Sequence, residues 1–283
     1  MKKQKLVVCA AVCLVMTTGA WAGIADGLIS YWALDDGAGL NATDSVGGND
    51  GTLTFGGSGT QTPQWTAGKF GGALDFDGIG AFVDCGSDVS LQPATVTVSA
   101  WIKVPAYGYY GQIAGLATDT DLSESGYSLL ADDYWLSDEI GDSVSMWVSG
   151  GPGESDGSYM ANTAVPSPPT DWVHVVGTYD GSQTIIYVND VGGAPDNTES
   201  GDIDYTHVTS FYMGVYWTPG FESREWFLPF VGQMDDVAVW GRALSANEVS
   251  WLYNDGVGNP VPEPMTVTLL ALGSLSLLRG KRR

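Results

Sequence analysis

Basic residues are scarce in this 283-residue chain, and most of them lie near its two ends. Between residues 23 and 260, only Lys69, Lys103, Arg224 and Arg242 accompany 32 acidic residues, which gives this span a net charge of −28. Such a surface repels a phosphate backbone and has no basic stripe that could release counterions from it. Nucleic acid is therefore excluded as a partner, and cations are favoured.

Cysteine and histidine are scarce as well, with three and two residues in the whole chain. Cys85 is the only cysteine between residues 23 and 260, so no internal disulfide is expected there, and a single buried thiol is predicted. His174 lies in an alternating apolar segment and is predicted to be a packed structural residue. His207 has no cysteine or second histidine close to it in the sequence, so a zinc site is not expected.

Long hydrophobic runs are confined to the two ends. Residues 1–22 combine a basic start, an apolar stretch over residues 6–16 and the small-residue ending Ala20-Trp21-Ala22. This pattern is typical of a secretory signal peptide that is cleaved before Gly23. The stretch is shorter than the roughly 20 apolar residues of a transmembrane helix, so the sequence predicts export rather than anchoring at this end.

The other end, residues 259–283, contains the short motif VPEP at 261–264, an apolar run over 265–278 and the basic ending RGKRR. The apolar run is short for a membrane span, and its basic flank is expected on the cytoplasmic side. These three parts, in this order, resemble the PEP-CTERM sorting signal of Gram-negative bacteria. The resemblance implies cleavage near the motif by a membrane protease of the exosortase type. We therefore expect the body of the protein at the outer cell surface or in the extracellular matrix.

The body, residues 23–258, has the pattern of an all-β protein. The chain contains 39 glycines, and short apolar runs alternate with clusters of Gly, Asp, Asn and Ser. Residues 95–103 alternate between two faces, and Asp180-Gly181 separates two strand-like segments, which predicts a hairpin. More than ten strands in one domain of this size predict a sandwich of two antiparallel sheets. Further strands are expected at 28–34, 72–76, 81–85, 112–117, 127–130, 144–148, 211–216 and 230–240.

One helix is predicted near the end of the body. Ser245 and Glu248 have the spacing of a capping box, which satisfies the first backbone N–H groups of a helix. Val249, Leu252 and Tyr253 then form an apolar stripe, and Asn254-Asp255-Gly256 should end the helix.

Five segments of the body carry a family pattern, at residues 28–39, 68–78, 97–104, 172–190 and 232–256. In their order and spacing, these segments resemble the LamG-like or concanavalin A-like jelly-roll domains of bacterial surface proteins. The resemblance implies a jelly roll of two curved sheets, and the members of the family are mostly binding or adhesion modules. It does not imply one ligand.

The resemblance also implies a structural calcium ion. Related domains bind calcium through the acid that opens the last strand and through groups near the end of the first strand. In this sequence those residues are Asp235 and either Asp35 or Asp36, with loop carbonyl groups around residues 47–50. Calcium prefers oxygen ligands, which this acidic surface supplies. The alternative is that these acids only cap turns and face solvent.

Sugar recognition would need flat aromatic rings beside a few polar groups. Loop-like segments contain such rings at Tyr109, Trp135, Trp217 and Trp226, which are the predicted ligand-binding residues. The alternative is that these rings pack beneath neighbouring loops.

Some jelly rolls hydrolyse polysaccharides with two carboxyl groups placed on one face of a strand. The nearest match here is residues 138–142, where Gly141 stands where the second acid is required, so Glu139 is interpreted as part of an acidic loop. We therefore expect no catalytic residues and a binding module for extracellular polysaccharide or another glycan. The alternatives are a structural or adhesive component of the extracellular matrix, and a glycoside hydrolase or polysaccharide lyase of the same fold.

Overall fold

The fold is a sandwich of two antiparallel sheets with one helix, as predicted. The computed structural model describes residues 23–104, 111–120, 123–131, 143–149, 161–164, 171–197, 200–216 and 228–257. The strands are β1 Leu28–Trp32, β2 Asn41–Ala42, β3 Gly51–Phe55, β4 Gln64–Ala67, β5 Gly72–Asp77, β6 Ala81–Asp84, β7 Val96–Lys103, β8 Gly111–Thr120, β9 Ser123–Ala131, β10 Ser143–Val148, β11 Ala161–Ala164, β12 Val173–Tyr179, β13 Thr184–Val188, β14 Val191–Gly192, β15 Tyr212–Met213, β16 Val215–Tyr216, β17 Leu228–Pro229 and β18 Val231–Trp240, and the helix is α1 Ala246–Asp255.

Two eight-stranded sheets form the sandwich. The first sheet has the order β14-β13-β12-β7-β18-β5-β4, and β1 also pairs with β18. The second sheet has the order β11-β10-β9-β8-β15-β6-β3-β2, while β16 and β17 form a separate two-stranded ribbon. The many neighbours that are distant in sequence, such as β7 with β18, are typical of a jelly roll.

Strand alternation decides which side chains form the core. In β7, Val98, Ala100 and Ile102 face the second sheet and join the main core, while Ser99 and Trp101 point to the outer face of the first sheet. In β10 of the second sheet, Met146 belongs to the same core. Every second side chain along these strands is apolar and faces inward, so one continuous core lies between the two sheets.

The helix covers the outer face of the first sheet. The predicted capping box is present, because Ser245 accepts from the backbone N–H of Glu248 and the Glu248 side chain accepts from the backbone N–H of Ser245. Val249 and Leu252 are fully buried against Trp240, in a cluster that also contains Ile24. In the part of the chain that is described, no helix has the length and apolar composition to cross a bilayer.

The start of the described chain is fixed to the same face. The indole Nε1 of Trp240 donates to the carbonyl oxygen of Ile24 at 2.6 Å. Arg242 donates to the carbonyl oxygen of Asp26 at 2.7 Å and forms an ion pair with Glu248 at 2.6 Å. The helix and residues 23–27 thus share one layer outside the first sheet.

A β-bulge interrupts β18 where its neighbour changes from β5 to β1. The register shifts between Asp235 and Ala238, and Asp236 has a φ of 50°. Because Met234 and Val237 both belong to the core, the extra residue lets Asp235 and Asp236 both avoid it. A non-glycine residue at positive φ costs about 1 kcal/mol or more of conformational free energy. The surrounding contacts of Asp236 must therefore hold it in this conformation.

Most predicted strands are confirmed, and their ends lie within four residues of the predicted ones. The segment predicted at 211–216 is instead two short strands, β15 and β16, separated by Gly214 at a φ of 86°. A Cβ at Gly214 would lie 2.3 Å from the ring of Phe76, so only glycine fits there. Strands β2, β3, β4, β11, β14 and β17 were not predicted; β3, for example, has the sequence GTLTF, which begins with glycine and has only two large apolar residues.

Candidate functional site

The sequence-predicted sugar-binding rings, Tyr109, Trp135, Trp217 and Trp226, lie outside the described residues. Glu139, the nearest approach to a catalytic acid, also lies outside them. The described residues instead bring together two other groups of polar and aromatic side chains, one on the outer face of each sheet.

The first group lies on the outer face of the second sheet. Val83 and Met213 point into the main core, so their neighbours Phe82, Asp84 and Tyr212 point outward. The Phe82 and Tyr212 rings meet edge to face, with centroids 5.6 Å apart. This arrangement places a carboxylate beside a tyrosine ring on adjacent strands.

Two threonines extend this group towards the edge of the second sheet. Asp84 is directly opposite Thr52 on β3 and directly opposite Tyr212 on β15. Thr54 is directly opposite Phe82. Thr52 is exposed, Thr54 and Asp84 are partly exposed, and the two rings are each 7% exposed. We call these five residues, Thr52, Thr54, Phe82, Asp84 and Tyr212, the outer patch.

The polar residues next to the outer patch on the same face are fully bonded. Gln112 accepts a hydrogen bond from the Ser128 hydroxyl at 2.8 Å and donates to the carbonyl oxygen of Tyr212 at 3.1 Å. Both Gln112 and Ser128 are completely buried. They fix the strand that carries Tyr212 but offer no free group to a ligand. The outer patch supplies the exposed polar groups beside this pair, and exposed Asn41 on β2 lies directly opposite Thr52 on the same face.

The second group lies on the first sheet at the β18 bulge. Asp235 is completely buried, and its Oδ2 accepts from the backbone N–H groups of Lys69 and Phe70 at 2.7 and 2.9 Å. The Tyr31 hydroxyl donates to Asp236 Oδ1 at 2.5 Å. Asp235 therefore holds the β4–β5 turn, and Asp236 holds β1. A Cβ on Gly68 in that turn would lie 2.5 Å from Asp235 Oδ2, so the turn requires glycine.

Burial shifts the acidity of this group. Burial and, to a lesser degree, the charge of Asp236 raise the pKa of Asp235 to about 7, against the backbone hydrogen bonds that lower it. Burial also raises the pKa of Asp236 to about 6, although its bond from Tyr31 lowers it. The pKa of Tyr31 is raised by burial and by the charges of Asp236, Asp235 and Asp35. The bulge thus holds carboxyl groups that take up protons near neutral pH.

The predicted calcium ligands do not converge in this arrangement. Asp36 accepts from the backbone N–H and the hydroxyl of Thr43, and Asp35 accepts from the backbone N–H of Gly72. Asp235 Oδ1 is buried and has no partner, but no group of three or more acids, histidines or cysteines among the described residues is placed to hold a metal ion. Asp35, Asp36 and Asp235 as they stand do not fit one ion. Calcium binding stays a prediction from the family resemblance.

One of the loop carbonyl groups predicted to help accepts a hydrogen bond within the chain. The carbonyl oxygen of Asn49 accepts from the indole Nε1 of Trp32 at 2.8 Å. Asp44 organises this loop by accepting from four backbone N–H groups, including those of Tyr31 and Asn49. The alternative of acids that cap turns and face solvent describes exposed Asp35 and Asp36, whereas Asp235 bonds a turn but is completely buried.

His174 is a buried structural residue, as predicted. It is 2% exposed, its ring is tilted by 30° against that of Trp101 at a centroid distance of 5.0 Å, and its Nε2 lies 2.9 Å from the Ser99 hydroxyl. Burial lowers its pKa to about 3, so the ring is neutral at physiological pH. Cys85 is also buried with a free thiol, as predicted.

Comparison with known proteins identifies the family. A model of the Laminin_G_3 family, described as the concanavalin A-like lectin/glucanases superfamily, matches residues 77–250, which is more than half of the chain. The chain belongs to this family. No match was found among curated protein sequences.

Several solved structures share the fold of this Laminin_G_3 chain. Domain 4 of an extracellular GH43 arabinanase from Geobacillus stearothermophilus, solved with arabinotriose, is 22% identical with a TM-score of 0.60, over 80% of this chain and 98% of that one. The binding domain of Paraclostridial mosquitocidal protein 1 is 14% identical with a TM-score of 0.54, over 82% and 52%. A sialidase from Trypanosoma rangeli in complex with sialic acid is 14% identical with a TM-score of 0.53, over 81% and 33%.

At these identities the likeness establishes the fold alone. The family contains both lectins and glucanases by its description, and the similar structures include a binding domain and a sialidase. The chain also spans only about half of the toxin domain and a third of the sialidase. The fold therefore does not distinguish a carbohydrate-binding domain from an enzyme that cleaves carbohydrate, and the distinction has to come from the side chains of the site.

Proposed function

We propose that this domain is an exported, non-catalytic carbohydrate-binding module and that its ligand contacts the outer patch. The observation that carries the proposal is the placement of Asp84 between Thr52 and Tyr212 on the outer face of the second sheet. Asp84 Oδ1 accepts from the backbone N–H of Gly86 at 2.9 Å, so Asp84 Oδ2 and the threonine hydroxyl groups are the groups that can bond sugar hydroxyls. The Phe82 and Tyr212 rings are buried against each other and position these polar groups rather than stack on a sugar. The predicted rings Tyr109, Trp135, Trp217 and Trp226 belong to the same proposal as additional contacts.

The similar structures support the ligand class. The arabinanase domain, which this chain covers almost completely, is described in complex with arabinotriose, and the sialidase in complex with sialic acid. Neither sugar is assigned to this chain. The shared chemistry is recognition of a pyranose or furanose ring with several hydroxyl groups.

The absence of catalysis is part of the proposal. A glycosidase needs a protonated carboxyl group and a second carboxylate in one open cleft. Asp235 and Asp236 have raised pKa values that would suit a general acid, but both are buried and bonded to the chain itself. Substrate cannot reach them without displacing the β4–β5 turn or Tyr31.

A glycan array tests the proposed function. The soluble body, residues 23–258, is screened together with Asp84→Asn and with Asp75→Asn, which removes the same charge from an exposed position on the other sheet. We expect Asp84→Asn to weaken binding by about tenfold or more, because hydrogen bonds to a charged group contribute about 1.5 to 3 kcal/mol. Asp75→Asn should bind as the wild type does.

Three outcomes would contradict the proposal in different ways. Absence of binding to any glycan would favour a purely structural matrix protein. Equal binding by both variants would remove the outer patch from the site. Release of reducing ends from a bound glycan, abolished by Glu139→Gln, would establish the hydrolase or lyase alternative.

The calcium prediction needs a comparison with magnesium at equal ionic strength, because any salt screens the negative charge of this domain. A ligand at a hundredfold excess over its Kd contributes about 2.7 kcal/mol, which corresponds to a melting-temperature rise of roughly 5 to 10 °C in a domain of this size. The family resemblance predicts that rise with calcium only, and not in Asp235→Asn. Equal shifts with both ions would contradict a specific site.

Export and C-terminal sorting complete the proposal. The signal peptide at 1–22 and the sorting signal at 259–283 both lie outside the described residues. Together they support display at the outer surface of a Gram-negative cell or in its matrix, with an exosortase-type protease as a processing partner and transient membrane anchoring by residues 265–278.

A further inference from the structure

The lysine and arginine side chains of the described residues all lie on the first-sheet side of the molecule. The Nζ atom of Lys69 lies 4.5 Å from the centroid of the Trp101 ring, on the outer face of the first sheet. Lys103 follows Trp101 by two residues on β7 and therefore points to the same face. Arg242 forms an ion pair with the helix, and Arg224 lies outside the described residues. The main core separates these three basic side chains from the outer patch.

Asp84 lies in a row of side chains that crosses the outer face of the second sheet. Each member of the row is directly opposite the next one on the neighbouring strand. The described members are Asn41, Thr52, Asp84, Tyr212, Gly115, Ser128 and Trp147. Asp84 is the only one of them that carries a charge, so its carboxylate has no cation opposite it. Its Oδ1 accepts from the backbone N–H of Gly86, and its Oδ2 has no hydrogen-bond partner within the described ranges.

Two further acids add to the negative potential around Asp84. Burial and, to a lesser degree, the charges of Asp84, Asp44 and Asp50 raise the pKa of the Cys85 thiol. These three carboxylates therefore lie close enough to act on one point at the end of β6. The net charge of −28 between residues 23 and 260 has the same sign. The field at the outer patch therefore attracts cations and repels anions.

We propose that the outer patch is specific for polysaccharides of amino sugars, whose free amino groups are positively charged, and that Asp84 determines this specificity. The inference rests on the proposed function. An ammonium group donates a charge-assisted hydrogen bond to Asp84 Oδ2, which is roughly twice as strong as a neutral one. The Thr52 hydroxyl and the Asn41 amide can bond the neighbouring sugar hydroxyls, which a lysine side chain of a basic peptide lacks. A polysaccharide of uronic acids carries the opposite charge and is repelled.

Isothermal titration calorimetry of the full-length chain tests this specificity at a mildly acidic pH, where sugar amines are protonated. The probes are a β-1,4-linked glucosamine hexamer, the same hexamer with every amino group acetylated, a galacturonic acid hexamer and hexalysine. Asp84→Asn removes the charge but keeps an oxygen for the N–H of Gly86. Asp75→Asn is the matched control on the other sheet. Thr52→Lys leaves Asp84 in place and puts an ammonium group directly opposite it at an exposed position.

We expect the wild type to bind the glucosamine hexamer about tenfold more tightly than the acetylated hexamer at low salt, because one hydrogen bond to a charged group contributes at least that factor. The preference should shrink to about threefold or less in roughly 0.5 M salt, which screens charges beyond a few ångströms. It should disappear in Asp84→Asn and in Thr52→Lys and persist in Asp75→Asn. The galacturonic acid hexamer should not bind.

The opposite results separate this inference from the proposed function. Equal binding of the two glucosamine hexamers, lost in Asp84→Asn, would overturn the amino-sugar specificity and keep the outer patch as a glycan site. Binding of hexalysine as tight as that of the glucosamine hexamer would mean that the patch attracts any cation, which also overturns the specificity. Absence of binding to the glucosamine hexamer would overturn it as well, and the glycan array would then decide the proposed function by itself.

Discussion

Replacing Trp240 with alanine is expected to lower the free energy of unfolding by about 3 to 5 kcal/mol, the usual cost of deleting a large buried side chain. Trp240 is completely buried and packs with Val249, Leu252 and Ile24. Its indole N–H also bonds the carbonyl oxygen of Ile24. The substitution removes the contact that joins the helix and the start of the described chain to the first sheet. In a domain of this size the melting temperature should fall by roughly 10 °C.

Urea unfolding followed by circular dichroism measures this effect, and two variants separate its causes. Trp240→Phe keeps a ring but loses the hydrogen bond to Ile24. It should lower the free energy of unfolding by about 1 to 2 kcal/mol more than a conservative core substitution does. Trp251→Ala removes a partly exposed ring from the same helix and should cost clearly less than Trp240→Ala. Equal losses in Trp240→Ala and Trp251→Ala would mean that the helix is held in some other way.

Asp235→Asn is expected to stabilise the protein relative to the wild type at pH 8 and not at pH 5, when both are measured in the presence of a chelator. The folded pKa of Asp235 is raised to about 7, whereas an aspartate in the unfolded chain has a pKa of about 4. A raised folded pKa means that the folded state holds more protons between these values. The stability contributed by protonated Asp235 is therefore present at low pH and is lost as the pH rises through 7.

The asparagine cannot ionise, but its amide oxygen can still accept from the backbone N–H groups of Lys69 and Phe70. Between pH 5 and pH 8, the free energy of unfolding of the variant should rise relative to that of the wild type by roughly 1 to 3 kcal/mol. Asp88→Asn is the control, because hydrogen bonds from Ser90 lower the pKa of this exposed acid and keep it ionised over the whole range. A difference that does not change with pH would refute the raised pKa of Asp235.

The fold could be predicted because its signals are local and repeated. Alternation in β7, the Asp180-Gly181 turn and the Ser245 capping box each fix an element by themselves, and all three are confirmed. The unpredicted strand β4 is an edge strand with the sequence QWTA, whose position depends on pairing with β5 rather than on its own pattern. Tertiary contacts decide such short segments.

The candidate site was harder to predict, because it is formed across strands that are distant in sequence. Thr52, Asp84 and Tyr212 become neighbours only when β3, β6 and β15 pair, and none of these residues belongs to a recognisable motif. The roles of the acids at the bulge could not be predicted from the sequence either. The doublet Asp235-Asp236 was visible in the sequence, but its hydrogen bonds depend on a one-residue bulge and on the turn at 69–70.

Chemical-shift mapping by nuclear magnetic resonance tests the central claim most directly. Backbone amide signals of the body are recorded while the best ligand from the glycan array is added until binding is saturated. If the outer patch is the site, the largest shifts should occur at residues 52–54, 81–84 and 212–213, and residues 246–255 of the helix should stay unchanged. Shifts confined to the helix and the turn at 69–72, with strands β3, β6 and β15 unchanged at saturation, would contradict the account.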